Sequence, residues 1–190
     1  MNRTKTGLLS MAAAAVLAMG LAPGTAVADG GSGHEGSDRS DDWRNSDDWR
    51  DDDDRRDNDD QRRLVRILRD ATDDYRWLEN AKADGYKKIT PCVEKSGVGA
   101  MGFHYAKQEL IDDKTQARKP EVLVYMPNED GRYKLVAVEF ISTAAKRPSI
   151  AGINFQDGPF PGSYALHAWV WRDNPDGTFA AYNPDLRCPK

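Results

Sequence analysis

Glu139 stands inside Leu135-Val136-Ala137-Val138-Glu139-Phe140-Ile141, a run in which every other side chain is apolar. A carboxylate in such a strand has to be paired, protonated or bound to an ion, because burying it charged and alone costs several kcal/mol. Two histidines have comparable surroundings, in Phe103-His104-Tyr105 and Ala165-Leu166-His167-Ala168-Trp169. Two imidazoles and one carboxylate make a ligand set for a divalent metal such as Zn2+. The same residues also suit a hydrogen-bonded His–Glu core pair, or three positions that never meet. The spacing carries no local signature: there is neither an H-E-x-x-H helix motif nor the H-x-H pair of a cupin. Strand alternation puts Glu139 on the face of Tyr133, Leu135, Ala137 and Ile141, and His167 on the face of Trp169 and Trp171. Those two tryptophans form a candidate ligand-binding platform for sugar or cell-wall material. Alternating aromatics on a strand describe ordinary core packing as well.

Other chemical templates fit less well. Gly97-Val98-Gly99-Ala100-Met101-Gly102 spells G-x-G-x-x-G, with Glu121 downstream. A dinucleotide site needs a helix to open at the third glycine, so that its N–H groups hold the pyrophosphate. Here Phe103-His104-Tyr105 follows, which reads as a strand, and the glycines read as a tight loop near Cys92. No G-x-S-x-G elbow is present. Nothing selects one pair of carboxylates for glycoside hydrolysis.

Positioning any such site falls to a helix and a set of strands. Leu64, Ile67, Leu68, Ala71, Tyr75 and Leu78 recur at spacings of three and four, the apolar stripe of one α-helix. Gly85 after Asp84 is a suitable stop. Beyond it, Glu121–Met126 and Tyr133–Ile141 flank the turn 128–131 as a hairpin, and Tyr164–Trp171 is a third strong strand. Thr178–Tyr182 is expected to return beside that third strand. Tyr86–Ile89 and Phe103–Ala106 are weaker extended segments. No βαβ rhythm is visible, so the expected class is α+β: an antiparallel sheet with one packed N-terminal helix over residues 62–190.

The residues before that domain speak to destination. Arg3 and Lys5, the apolar run from Gly7 to Leu21 and Ala26-Val27-Ala28 have the form of an export signal over residues 1–28. The run is short for a bilayer span of ~20 residues, so no membrane span is expected after processing, and the mature chain is expected to be secreted. Residues 29–61 hold 14 acids against five arginines, a net charge of −9, and repeat Ser-Asp-Asp-Trp-Arg at 40–44 and 46–50. Low hydrophobicity and high charge there predict a disordered segment. It lacks the glycine and closing glutamate of an EF-hand loop. Residues 62–190 carry a net charge of +3, too little and too scattered to favour nucleic acid. Cys92 and Cys188 are the only cysteines of the chain, and an oxidising compartment favours a disulfide between them.

Several stretches together resemble a family of uncharacterised exported bacterial proteins common in actinobacteria. They are Ala71-Thr72, Ala81–Tyr86, Pro91-Cys92-Val93, Gly99–Tyr105 (GAMGFHY), Pro120–Tyr125 (PEVLVY), Val138-Glu139-Phe140, His167–Trp171 (HAWVW), Asn174-Pro175, Asn183-Pro184 and Cys188-Pro189. The resemblance spans roughly Ala71 to Pro189 and leaves out the acidic segment. It implies secretion and a shared fold, supplies no reaction, and sets His104, Glu139 and His167 within the shared motifs.

The expected function is a secreted, non-catalytic extracellular or cell-envelope binding module with its ligand near the His167–Trp171 face. Its partners would be a cell-envelope component or divalent cations. The alternative is a metal-dependent, hydrolase-like extracellular enzyme that uses His104, Glu139 and His167 as ligands and bound water as nucleophile.

Overall fold

The computed structural model describes residues 48–190. The export signal and the first part of the acidic segment, residues 29–47, lie outside them. The fold is α+β. Helix α1 runs from Asp48 to Thr72 and is followed by a 3-10 turn at Asp74–Arg76 and a short helix α2 at Leu78–Ala83. Residues 48–61 of the acidic segment belong to this helix. Its turns over residues 55–60 are exposed and propagate from the packed part of the helix, since adding a turn costs far less than nucleating one. The apolar stripe does what its spacing predicts, because Leu64 and Leu68 are buried in α1 and Leu78 and Ala81 in α2. The predicted single helix breaks between Thr72 and Leu78. Thr72 Oγ1 donates to the Leu68 carbonyl, a local bond that competes with helix continuation. Gly85 then caps α2 at φ +96°, its N–H donating to Lys82 O while that of Tyr86 donates to Ala81 O.

The strands are β1 (Lys87–Lys88), β2 (Val93–Lys95), β3 (Gly99–Ala106), β4 (Val122–Pro127), β5 (Tyr133–Ser142), β6 (Ser149–Ile150), β7 (Ile153–Asn154), β8 (Gln156–Asp157) and β9 (Tyr164–Ala168). The main sheet has the order β1-β3-β4-β5-β9-β8, with β2 also paired to β3, and every pairing is antiparallel. The β4–β5 hairpin is the predicted one. The strand beside β9 is Gln156–Asp157, not the predicted Thr178–Tyr182, which runs as turns and meets the chain just past β9, where the Trp169 N–H donates to Thr178 O. The G-x-G-x-x-G stretch forms the β2–β3 turn and the start of β3, as its reading as a loop near Cys92 requires. At Gly99, φ is +140° and a side chain would collide with the Asn183 carbonyl, so the C-terminal segment crosses the sheet where only glycine permits it.

The two faces of the sheet carry different loads. Phe103, Tyr105, Leu123, Tyr125, Val138, Phe140 and Leu166 point to the face covered by α1 and α2. The opposite face presents small residues and valines, among them Ala100, Ala106, Val122, Val124 and Ala137, under Trp169 and Leu186 of the C-terminal segment. A disulfide between Cys92 and Cys188, with an S–S distance of 2.05 Å, closes that side. No helix of the described residues is long and apolar enough to cross a membrane.

Candidate metal centre

His104, Glu139 and His167 all project from the second face. Alternation along β3 sends Phe103 and Tyr105 into the helix-packed core and leaves His104 between them facing the other way. In β5, Val138 and Phe140 do the same for Glu139, and in β9, Leu166 and Ala168 for His167. Register then brings the three together. Glu139 is directly opposite His167 across β5–β9. His104 lies two strands from Glu139 on the other side, on β3 opposite Val124, and reaches across the valines of β4. One detail of the sequence-based placement needs correction. The register shifts between Val124 and Tyr125 of β4, so that Val136 has no opposite number. This bulge puts Leu135, and with it Tyr133, on the helix-packed side, while Ala137 and Ile141 stay on the side of Glu139.

The trio is a compact, buried cluster. Its members are 4–7% exposed, and one ligand atom from each lies within 4.8 Å of the others. Glu139 Oε2 is 3.7 Å from His104 Nε2, and Oε1 is 3.8 Å from His167 Nδ1. Those separations are too long for hydrogen bonds. Bonds of ~2.0–2.2 Å in a tetrahedron put neighbouring ligands about 3.4 Å apart, so the side chains would have to move inward from their 4.8 Å spread to hold one ion. His104 Nδ1 is 3.1 Å from Thr90 Oγ1, which also accepts the His104 backbone N–H. With Nδ1 engaged, Nε2 is the nitrogen turned to Glu139. His167 Nε2 is buried with no hydrogen-bond partner at all, an arrangement costing about 1–3 kcal/mol if nothing ever satisfies it.

Electrostatics set the proton inventory. Burial pushes Glu139 up to about 8, with the nearby Glu121 carboxylate adding to the rise. Burial holds His104 down to about 4 against the opposing effect of a backbone hydrogen bond at Gly102. His167 falls to about 3 through burial and the proximity of His104. At neutral pH both imidazoles are therefore free bases, the form that binds metal, and the single proton to be displaced belongs to Glu139.

The cluster forms part of the wall of a cavity of about 260 Å3, whose lining is otherwise largely apolar and includes Ile89, Val93, Met101, Ile141 and Phe179. The tryptophan platform does not form. Trp169 is buried on the cluster's face, with its indole N–H donating to Ala180 O. Trp171 packs on the opposite side, its N–H on Thr72 Oγ1 and the Arg76 guanidinium over its ring. Regular alternation ends at Ala168, where the Val170 N–H turns back to the Ala168 carbonyl. Two residues near the cluster escaped the sequence reading. Thr90 carries no motif. Glu121 is a second buried carboxylate, pushed up to about 7 by burial and held by the Ile141 N–H at 3.1 Å; its position at the start of a strand gave no sign of this. No family model, curated protein or solved structure matches the chain.

Proposed function

We propose that this protein is a metal-dependent ligand-binding module, in which His104, Glu139 and His167 hold one divalent ion, Zn2+ in the first instance. The ion would keep an open position toward the cavity. The observation that carries the reading is a set of three buried ligand atoms within 4.8 Å of one another, spaced too widely to satisfy each other. A purely structural His–Glu network would close to hydrogen-bond distance. Three protein ligands with an open fourth position are the pattern of Zn2+ sites that meet water or substrate. The only other acid lining the cavity is Asp157, whose carboxylate is largely exposed and ion-paired to Arg147 at 2.6 Å. The second buried carboxylate, Glu121, is tied to the Ile141 N–H and does not line the cavity, so binding is favoured over hydrolysis. Exported proteins that capture small molecules outside the cell are a natural setting for such a module.

Titration of metal-free protein with Zn2+ tests this. One ion should bind per chain, with release of about one proton at pH 7, and affinity should rise about tenfold per pH unit up to about pH 8 before flattening. The sign follows from Glu139, which must lose its proton, while the histidines have none to lose above about pH 4. Substoichiometric uptake, or uptake that His167→Ala leaves unchanged, would remove the proposal. Thr90→Val should weaken Zn2+ about 10–100-fold, as loss of an outer-shell partner does. Thr90→Ser should restore most of that affinity, with isothermal calorimetry as the measurement.

A further inference from the structure

We infer that the cavity takes a small monoanion with an apolar body, such as a short-chain or aromatic carboxylate, with its anionic group at the open position of the ion. The inference rests on the metal reading and adds the class of ligand. Charge comes first. A divalent ion held by one carboxylate and two neutral imidazoles has a net charge of +1, and no lysine or arginine lines the cavity. One negative charge makes the buried assembly neutral; a dianion would leave it charged in an apolar wall, at a high desolvation cost. A neutral ligand would leave the ion's charge uncompensated.

Shape and lining supply the rest. The space of about 260 Å3 is small beside the usual 300–1,000 Å3 of ligand pockets. Its walls are mostly apolar, with Ile89, Val93, Met101, Ile141, Ala165 and Phe179 beside the neutral polar side chains of Thr90 and Gln156. Asp157, the one lining carboxylate that would repel an anion, is turned outward and tied to Arg147. Of the apolar lining residues, Ile89 is 50% exposed.

Cobalt-substituted protein provides the test, because the visible absorption of Co2+ reports directly on its ligands. Straight-chain carboxylates from acetate to octanoate should each shift the spectrum saturably. Affinity should rise about fourfold per methylene while the chain remains inside the cavity. Alcohols of equal length, and succinate, should bind at least tenfold more weakly. Ala181→Trp, which fills the cavity from its half-buried wall, should keep cobalt and lose the dependence on chain length. A cobalt-loaded protein whose spectrum ignores octanoate, or responds equally to acetate and octanoate, overturns the inference while the metal site stands. So does an Ala181→Trp variant that keeps the wild-type dependence on length. Failure of wild-type protein to take up cobalt overturns the metal reading, and this inference with it.

Discussion

Glu139→Gln will abolish stoichiometric Zn2+ binding and, in the same protein, raise the melting temperature of the metal-free form at pH 8. The first effect should exceed 1,000-fold, because the amide leaves two neutral imidazoles as the only strong ligands and removes the one negative charge facing the ion. The second follows from the proton. In the folded metal-free protein Glu139 holds its proton up to about pH 8, whereas in the unfolded chain it ionises near 4.5. A raised acid destabilises the fold progressively as pH rises between those values, because only the unfolded state can release the proton. Glutamine has no proton to release, so the variant escapes this loss. Its advantage should be largest at pH 8 and shrink toward zero near pH 4.5. Glu121, also pushed up to about 7, adds a similar alkaline slope to both proteins and cancels in the comparison. The histidines act in the opposite sense: lowered to about 4 and 3, they cost stability as pH falls below about 6.5. Scanning calorimetry of both proteins from pH 4.5 to 8 reads all of this. Zn2+ at 1,000 times its Kd should stabilise only the wild type, by about 4 kcal/mol. A variant less stable than wild type at pH 8 would mean that Glu139 is a stabilising ion-pair partner, and that the trio is architecture.

The contrast between Glu139 and Trp171 shows what a single sequence can and cannot carry. Glu139 was legible because its environment is local: Val138 and Phe140 on either side belong to one core, and period-two alternation sends the residue between them elsewhere. In the structure the same alternation holds at His104, between Phe103 and Tyr105, and at His167, between Leu166 and Ala168. Alternation then failed where the backbone departs from regular pleat, at the Val136 bulge and after Ala168. Neither departure has a glycine or proline to announce it. The meeting of the three residues depends on register across β3, β4, β5 and β9, which is set by the whole sheet and not by any one strand. Thr90 was unreadable for a related reason, since its partner His104 is brought to it by the pairing of the segment around β1 and β2 with β3.

Replacing both Cys92 and Cys188 by alanine should lower the melting temperature by about 10–15 °C and also weaken metal binding in the protein that remains folded. The two effects have separate causes. The bridge joins residues 96 apart in sequence, and in the chain-entropy model a loop of that length restrains the unfolded state by about 4.7 kcal/mol. At roughly 2–4 °C per kcal/mol for a chain of this size, that accounts for the shift in melting. A change confined to the unfolded state would leave the site untouched. Cys92, however, lies in the segment that supplies Ile89, Thr90 and Val93 to the site, and its sulfur packs beside Met126 at 4.0 Å. On the C-terminal side, the Cys188 N–H donates to Glu94 at 2.7 Å, so the bridge and this bond tie the segment carrying Val93 to the C-terminal segment. Releasing that clamp lets Thr90 drift from His104, and Zn2+ affinity should fall about as far as in Thr90→Val, 10–100-fold. Calorimetric titration well below the melting point separates the two contributions. A large drop in melting temperature with unchanged affinity would show that β1 and β2 alone hold the wall in place. An unchanged melt would show that the cross-link restrains little that the sheet does not already hold.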